Sequence, residues 1–350
     1  MIYAPVVIPT LCRHRHLKRG LDSLARNAWA EFTDVFVVLD FPPSDKYREG
    51  YAKTREMLRS YPGDAFKSFN VIEREKNYGP GKNSKALVDE VIAPRYGRWI
   101  SAEDDIEFAP NFIEYMDKCL ERFEDDSSVQ AVCGYSYPLD WKKTDGATAF
   151  LSQATYSAWG TGQWARKRDA ARKDIVQTYY LLKNRARAFD SGLVDRMVAG
   201  RRAEYVPYVA LGVGNAEMES MTDMAYGPYL MLSDKRVVIP MISKTRNLGF
   251  DGTGLNCSAV EDAKGMHSMD YDYSSQPLDE SDTFELVVEG DEKCLQANHD
   301  LLDKFLYVPR SKARLEWLGT LIYRTLGGKG CDVATKIYQG MRAAYRKVKA

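Results

Sequence analysis

Short apolar runs that are rich in β-branched and aromatic residues recur along the first 135 residues of the chain. Turn-forming or charged residues bound each run, and this pattern predicts short strands. The predicted strands are PVVIP (5–9), DVFVVLD (34–40), SFNVIE (68–73), RWISA (98–102) and VQAVCGY (129–135). The segments between them have helical spacing, so strands and helices alternate.

The clearest helical segment is NFIEYMDKCLERF, residues 111–123. Its apolar residues fall on one helical face: Phe112, Ile113, Met116, Leu120 and Phe123. Strands separated by such helices imply right-handed crossovers and a largely parallel sheet. The sequence therefore predicts an α/β fold with a Rossmann-like, mainly parallel sheet and helices on both of its faces.

Beyond residue 135 the pattern is less regular. The recognisable features are the aromatic and glycine-rich loop YSAWGTGQW (156–164), a helical stretch near 217–232, a short strand RVVIP (236–240) and the loop GFDGTGLNC (249–257). We expect this half to pack on the first. Residues 258–290 are polar without a regular period, and we expect them to form a surface excursion.

Charge is unevenly distributed along the 350 residues, of which 45% are hydrophobic and can bury a sizeable core. The chain has 49 basic residues (Lys and Arg) and 49 acidic residues (Asp and Glu), so its formal net charge is zero. The net charge therefore gives no argument for a nucleic-acid partner. Residues 310–350, which we call the tail, carry ten Lys or Arg and two acidic residues, a local +8 that leaves −8 on the rest. The tail holds two amphipathic helix candidates, at 311–326 and 332–349.

Cysteine usage and hydropathy bear on the cellular compartment. The six cysteines form no CxxC pair or regular spacing, so the sequence predicts neither a zinc site nor a disulfide framework, and a reducing cytoplasm fits best. The first residues lack a basic region before a short apolar run, and no stretch approaches about 18 uninterrupted apolar residues. We expect a cytoplasmic chain, or one peripheral on the inner face of the membrane.

Polar residues follow each of the first four predicted strands. They are Thr10 with Arg13 just beyond, Asp40, the segment EKNYGPGK (75–82) and the triplet Glu103-Asp104-Asp105. In an open α/β sheet the ligand crevice lies outside the carboxyl ends of the strands. We therefore expect these four groups to lie on one rim of the sheet.

The acidic triplet lies where a strand is predicted to end. Adjacent side chains of a strand alternate between faces, so three carboxylates can converge only if the chain leaves the strand there. Hard divalent cations such as Mg²⁺ or Mn²⁺ are held by one or two protein carboxylates together with substrate phosphates and water. The triplet is thus a candidate half-site for a metal–diphosphate, and a solvated acidic turn before a helix is the alternative.

Two other rim segments carry weaker signals. Asp40 precedes Phe-Pro-Pro and could accept a hydrogen bond from a base edge, or could start a turn. The segment NYGPGKN combines a backbone free to approach a ligand with Lys82, a point charge suited to phosphate. Neither GxxxxGK[ST] nor GxGxxG occurs in the chain, so this segment is not a P-loop.

The second half offers further candidates. Glu219 and Asp223 are four residues apart and would share a helical face. One of them could act as a general base if that face lines the crevice, although exposed helices also tolerate such pairs. Trp159 and Trp164, set among glycines, suit either the apolar face of a sugar ring or the core.

Taken in order, six segments resemble a known enzyme family. They are VVIPTLCRHRHLKRGLDSL, VFVVLD, REKNYGPGKN, WISAEDDIEFAPNFIEYM, SAWGTGQWARK and NLGFDGTG. They resemble GT-A glycosyltransferases of family 2, especially the bacterial polysaccharide branch, which is itself similar to N-acetylglucosaminyltransferase I with its Glu-Asp-Asp motif. The similarity spans about residues 4–257. It implies a GT-A domain over 1–300, with a nucleotide-binding half (1–135) and an acceptor half (136–260), followed by a basic helical extension over 301–350.

The resemblance implies a role for each matching residue. Asp105 would ligate a Mn²⁺ or Mg²⁺ ion that bridges the donor's diphosphate, and Asp223, seventeen residues before Pro240, would be the catalytic base in preference to Glu219. The loop NLGFDGTG would close over the donor, with Lys244 and Arg246 near the diphosphate. The other contacts to the nucleotide sugar would come from Thr10, Arg13, Asp40 at the uracil edge, Asn77, Lys82, Glu103 near the sugar and Asp104 against the ribose.

The activity implied is an inverting, metal-dependent transfer of a sugar from a UDP-sugar to a hydroxyl of a glycan or lipid-linked glycan in polysaccharide biosynthesis. A sugar-nucleotide pyrophosphorylase is one alternative, but it would need a GxGTR-type loop where this chain has IPTLCRHRH. A non-catalytic, membrane-associated binding protein is another. The basic amphipathic tail suits an anionic membrane surface, or packing on the body or on a partner chain.

Overall fold

The computed structural model describes residues 2–153, 155–183, 222–254 and 272–305, together with separate helical positions between 318 and 344. As far as Arg122 the elements are β1 (Val6–Thr10), α1 (His14–Ala25), β2 (Asp34–Leu39), α2 (Arg48–Ser60), β3 (Ser68–Glu73), α3 (Pro80–Leu87), a π-helical segment (Val88–Ile92), α4 (Ala93–Tyr96), β4 (Arg98–Ser101), β5 (Ile106–Phe108) and α5 (Phe112–Arg122). The later described elements are β6 (Val129–Cys133), β7 (Ala149–Ser152), β8 (Thr161–Trp164), α6 (Ala165–Lys183), α7 (Thr222–Ser233), β9 (Arg236–Pro240), β10 (Thr245–Asn247) and α8 (Glu292–Phe305). Short 3₁₀ turns occur at Ala30–Phe32, Asp45–Tyr47 and Tyr273–Ser275.

Eight strands form one sheet in the order β3-β2-β1-β4-β8-β6-β9-β7. The first four of these strands run parallel to one another, and β6 runs parallel to β9. Strands β8 and β7 are antiparallel to their neighbours. Strands β5 and β10 form a separate antiparallel ladder that pairs Ile106 with Asn247. The predicted Rossmann-like α/β fold is confirmed, with antiparallel β8 inserted into a mainly parallel sheet and antiparallel β7 at its edge.

Alternate residues of the strands face two different cores, because side chains in a strand point to opposite faces. Val6 and Ile8 of β1 belong to the main core with α1 and α5, whereas Val7 packs on the other face with Leu87 and Ile92. The predicted apolar face of α5 is confirmed, since its residues are buried in the main core: Phe112, Ile113, Met116, Leu120 and Phe123. Helices therefore cover both faces of the sheet.

All six predicted strands are present, within two residues of their expected bounds. The loop expected over residues 156–164 is wrong in its second part, because Thr161–Trp164 forms β8 between β4 and β6. This strand is short and contains Gly162, so it has no alternating apolar pattern. A β-carbon on Gly162 would lie 3.2 Å from the Leu120 side chain, so close packing on α5 accounts for the glycine.

Most described residues of the surface excursion expected over 258–290 are exposed, but the segment is also anchored by buried residues, including Phe284. Phe284 is buried in the main core. Its backbone N–H donates to Glu114 Oε2 at 2.8 Å, and its carbonyl accepts from Lys118 Nζ at 2.5 Å. Polar groups of α5 thus hold an irregular segment onto the core, which a search for helical or strand periods does not detect.

Helix α8 crosses the domain boundary expected at residue 300, and its Leu302 is buried in a core with residues of β6 and β9. The described positions of the tail are helical. Among the helices that the structure describes, none has the length and hydropathy needed to span a bilayer.

Candidate active site

The carboxyl ends of β1 and β4 bring four predicted site residues together. Asp104 and Asp105 occupy a turn that leaves β4 and leads into β5, and both are buried. Arg13, just before α1, donates from Nη1 to Asp105 Oδ2 at 2.8 Å and from Nη2 to Asp104 Oδ1. Thr10 Oγ1 donates to Asp104 Oδ2 at 2.8 Å. The two carboxylates share one guanidinium because the chain turns between them.

Burial and charge act in opposite directions on this group. Burial raises the pKa of Asp104, and Asp105 adds to this effect, whereas Arg13 and the Thr10 hydroxyl lower it. Burial alone would lower the pKa of Arg13, but Asp104 and Asp105 overcome this effect, so the pKa of the guanidinium is raised and it stays charged. Asp104 and Asp105 share the single positive charge of Arg13, so the site can accommodate a further positive group beside them.

One oxygen of this group has no hydrogen-bond donor. Among the described residues, Asp105 Oδ1 is buried without a partner, while Asp105 Oδ2 accepts from Arg13. An unpaired buried carboxylate oxygen is costly, and such atoms in a folded protein call for an explanation, such as an ion or a ligand donor. Over the described residues, no cluster of three or more His, Cys, Asp or Glu side chains is arranged to hold a metal.

Residues 247–254, which we call the lid loop, lie directly on the acidic turn. The Leu248 N–H donates to the Asp105 carbonyl at 2.9 Å, and the Gly249 N–H donates to Asn247 Oδ1 at 2.7 Å. Further along, Asp251 Oδ2 lies 3.1 Å from His16 Nε2 in α1. The lid loop is therefore held both to the turn after β4 and to the helix after β1.

Aromatic rings surround the outer side of the lid loop. Phe250 stacks on Tyr273 with ring centroids 4.8 Å apart, and Trp159 meets Phe250 edge-on at 5.7 Å. Trp159, one of the two predicted sugar-binding rings, thus lies beside the lid loop. Trp164 does not, since it is buried in the main core and its Nε1–H donates to the Leu120 carbonyl at 3.0 Å.

Asp40 organises the segment after β3. Its Oδ1 accepts from the N–H groups of Phe41 and Tyr78, both at 2.9 Å, and its Oδ2 accepts from the Gly79 N–H at 2.8 Å and from Asn77 Nδ2 at 3.1 Å. Each of the two carboxylate oxygens therefore already accepts two hydrogen bonds. Contact between Asp40 and a base edge would require one of these bonds to be exchanged.

The remaining predicted nucleotide contacts lie in different settings. Glu103, in the acidic turn, and Lys82, in α3, are both exposed. Arg246 is half-buried, with Nη2 2.7 Å from Glu107 Oε2 and Nη1 3.2 Å from the Gln276 carbonyl. The ladder of β5 and β10 places Arg246 opposite Glu107, so its charge is already paired.

Lys244, expected near the diphosphate, lies in the protein interior with its charge paired. Lys244 is 1% exposed, donates to Asn111 Oδ1 at 3.1 Å and is hydrogen-bonded to Asp279. Burial lowers the pKa of Lys244, while the Asp279 carboxylate raises it. The ion pair joins segments far apart in the chain, so nothing in the local sequence around Lys244 indicated that the residue is internal.

The two candidates for a general base lie at the edge of what the structure describes. The helix predicted near 217–232 is confirmed over Thr222–Ser233 and includes Asp223. The side chain of Asp223 and the whole of Glu219 lie outside the described residues. The choice between them stays a prediction.

Sequence reasoning missed Asn247 and the proximity of Gly249 to the turn. Asn247 is buried, and its Nδ2 has no hydrogen-bond partner among the described residues. The glycine-rich motif of the lid loop indicated that its backbone could approach another group closely. That this group is the acidic turn follows only from the pairing of β10 with β5.

Comparison with known proteins gives matches only among solved structures. No family model matches the chain, and no curated protein matches it. The mannosyltransferase PcManGT from Pyrobaculum calidifontis, in complex with GDP-Man and Mn²⁺, aligns with a TM-score of 0.36 and 12% identity, over 65% of this chain and 69% of that chain. S. aureus TarS 1–349 in complex with UDP aligns with a TM-score of 0.36 and 14% identity, over 65% and 70%.

A further TarS structure from S. aureus aligns with a TM-score of 0.31 and 19% identity, over 49% of this chain and only 29% of that chain. Each of these TM-scores is below 0.5. The fold assignment therefore rests on the strand order, and the functional argument rests on the geometry of the rim.

Proposed function

We propose that the protein is an inverting, metal-dependent glycosyltransferase that moves a sugar from a UDP-sugar to a hydroxyl of a glycan or lipid-linked glycan in polysaccharide biosynthesis. The observation that carries the proposal is the unpartnered, buried Oδ1 of Asp105 at the carboxyl rim, beneath the lid loop. The ordered motifs support it through their resemblance to family 2 GT-A enzymes and to N-acetylglucosaminyltransferase I.

The residues at the rim fit a divalent cation. Asp105 Oδ1 is a hard oxygen ligand without a hydrogen bond, and Mg²⁺ sites of this kind need only one or two protein carboxylates beside substrate phosphates. Asp105 would hold Mn²⁺ or Mg²⁺, and the bound ion would supply Lewis-acid stabilisation of the leaving diphosphate. Arg13, which stays charged, would keep the second carboxylate oxygen in place.

The nucleotide would lie along the carboxyl ends of β1, β2 and β4. Thr10 and Arg13 would flank it, and Asp104 would lie against the ribose. Asp40 would receive the uracil edge in exchange for one of its present bonds. Glu103 would face the sugar, while Asn77, Lys82 and Arg246 would supply the outer contacts. In this arrangement residues 1–135 bind the nucleotide and residues 136–260 bind the acceptor.

Asp223 would remove the proton of the acceptor hydroxyl, with Glu219 as the second candidate. The resulting oxygen nucleophile would attack the anomeric carbon on the face opposite the departing diphosphate, so the configuration would invert. General-base assistance of this kind contributes about 10²–10⁴-fold to a rate. The lid loop and the ring of Trp159 would exclude water, which favours transfer over hydrolysis. The scattered cysteines suit a reducing cytoplasm.

Thermal unfolding with a panel of nucleotide sugars, each with and without Mn²⁺, tests the proposal. We expect stabilisation by UDP and by one UDP-sugar that depends on Mn²⁺, and slow release of UDP when no acceptor is present. Asp105→Ala should lose both responses while its unfolding without ligand stays cooperative. Asp125→Ala is the matched control, because that carboxylate is 95% exposed on the surface.

Three results would contradict the proposal. Full activity of Asp105→Ala would show that the reaction does not need a metal ion bound by Asp105. Absence of response to every nucleotide sugar would favour a binding protein. Formation of a nucleotide sugar from UTP and a sugar phosphate would identify a pyrophosphorylase.

A further inference from the structure

The described positions of the tail carry most of the exposed large apolar side chains. Eleven such side chains are exposed among the residues that the structure describes, and six lie between residues 318 and 341. These six are Leu318, Leu321, Leu326, Val333, Ile337 and Met341. Single exposed apolar residues are normal on a protein surface, whereas a concentration in one segment marks an interaction surface.

Three of these side chains form a continuous row. Val333, Ile337 and Met341 are described helical positions spaced by four residues, a spacing that places side chains on one helical face. Their exposed fractions are 58%, 58% and 67%. Ala334 and Tyr338, on the neighbouring face, are half-buried. The row, which we call the apolar stripe, is therefore more exposed than these neighbouring positions.

The charge around the apolar stripe is strongly positive. Residues 310–350 carry a net +8, and the described Lys329 and Lys336 are exposed. A helix with an apolar face and Lys or Arg beside it lies in the plane of a membrane interface and is attracted by anionic lipids. We propose that the tail binds the anionic surface of a lipid bilayer, with the apolar stripe in the headgroup and acyl boundary.

Charge argues for this occupant over the others. A second copy of the tail would bring a charge of +8 against +8, which opposes pairing through the stripe. Nucleic acid would neutralise the charge but leave the apolar stripe in water. The body carries −8 and could attract the tail, yet the stripe remains exposed beside it. Of these four surfaces, only an anionic bilayer is complementary both to the positive charge and to the apolar stripe.

Vesicle flotation of the full chain tests the inference. One set of vesicles contains phosphatidylcholine alone, and the other contains phosphatidylcholine with phosphatidylglycerol. We expect the bound fraction to rise about tenfold with phosphatidylglycerol and to fall in high salt, since surface electrostatics is screened. The double variant Ile337→Glu with Met341→Glu should not float. Lys329→Glu with Lys336→Glu should float weakly on the anionic vesicles.

Val91→Glu provides the matched control, because Val91 is an exposed apolar residue of the body, at 41%. Its flotation should equal that of the wild-type chain, and circular dichroism should show the same helix content in every variant. Equal flotation of the stripe variant and the wild type would overturn the inference, as would failure of the wild type to float. A dimer in solution that the stripe variant converts to a monomer would assign the stripe to a second copy instead.

Discussion

Gly249 of the lid loop packs directly against the carboxylate of Asp105. A β-carbon on Gly249 would overlap Asp105 Oδ2 and would lie 3.1 Å from Arg13 Nη1. The neighbouring Leu248 N–H donates to the Asp105 carbonyl at 2.9 Å. The lid loop can therefore lie on the acidic turn only because residue 249 has no side chain.

Gly249→Ala should displace the lid loop from the turn, because the overlap is with a carboxylate that Arg13 holds in place. Overpacking of this kind costs about 1–3 kcal/mol, and we expect a lower melting temperature together with weaker Mn²⁺-dependent UDP binding. Gly290→Ala is the control, since a β-carbon there meets no atom within 4 Å. Identical melting and UDP titrations for the two variants would show that the lid loop does not depend on this contact.

Asp223→Asn should abolish sugar transfer while UDP binding persists, because an amide cannot accept the proton of the acceptor hydroxyl. The expected loss of turnover is about 10²–10⁴-fold. Turnover is measured by release of UDP in the presence of acceptor, and binding by thermal stabilisation with UDP and Mn²⁺. Glu219→Gln is the paired variant. If it loses turnover and Asp223→Asn does not, the base is Glu219.

Asp117 in α5 is a buried carboxyl that is only half satisfied. It is 0% exposed, its Oδ1 accepts from the Ala4 N–H at 2.8 Å, and its Oδ2 has no hydrogen-bond partner among the described residues. Burial raises the pKa of Asp117 to about 7, against the opposing effects of the Ala4 N–H and Arg98. The folded protein therefore binds this proton more tightly than the unfolded chain does.

The contribution of Asp117 to stability should consequently fall as pH rises from about 4 to about 7, since the carboxyl ionises first in the unfolded chain. The loss attributable to this one group is at most roughly 4 kcal/mol. Asp117→Asn should gain stability relative to the wild type over this range, as measured by urea unfolding at several pH values. Asp125→Asn, at a highly exposed carboxyl, should follow the wild type. A parallel pH profile for Asp117→Asn and the wild type would contradict the assignment.

Lys167 of α6 joins this helix to the turn between α5 and β6. Its ammonium donates to the carbonyls of Phe123 at 2.6 Å, Asp126 at 2.7 Å and Val129 at 2.8 Å. It also lies 3.9 Å from the centroid of the Trp164 ring. Burial lowers the pKa of Lys167 to about 8, partly offset by the Asp126 carboxylate.

Lys167→Met should lower the free energy of unfolding by about 2–4 kcal/mol, because three carbonyls lose a charged donor at once. Urea unfolding at pH 7 measures the effect. Lys173→Met, at an exposed position of the same helix, should change stability by less than about 0.5 kcal/mol. Equal effects of the two substitutions would show that the three carbonyls find other donors, such as water.

The sequence predicted the regular part of the fold well for a physical reason. A buried strand such as Val6–Thr10 requires an apolar run, and a helix such as Phe112–Arg122 requires one apolar face. Both requirements are met by residues that are close together in the sequence, so an analysis of hydrophobic periodicity detects them. The same reasoning found the polar strand ends, because the carboxyl ends of parallel strands must share one edge.

Features that depend on distant partners were not predictable in this way. The strand Thr161–Trp164 has a place in the sheet only because β4 and β6 flank it. Lys244 is internal because it pairs with Asp279, although a lysine in a loop motif is ordinarily exposed.

The sequence by itself determined the α/β class, the positions of the first strands along the chain and the presence of acidic and basic groups at their ends. The tertiary structure decided which of these groups meet. It joined Arg13 to both Asp104 and Asp105, engaged Asp40 with the backbone of Tyr78 and laid the lid loop on the acidic turn. These contacts bring together residues that local patterns treat separately, and only the paths of the strands and turns bring them within hydrogen-bonding distance.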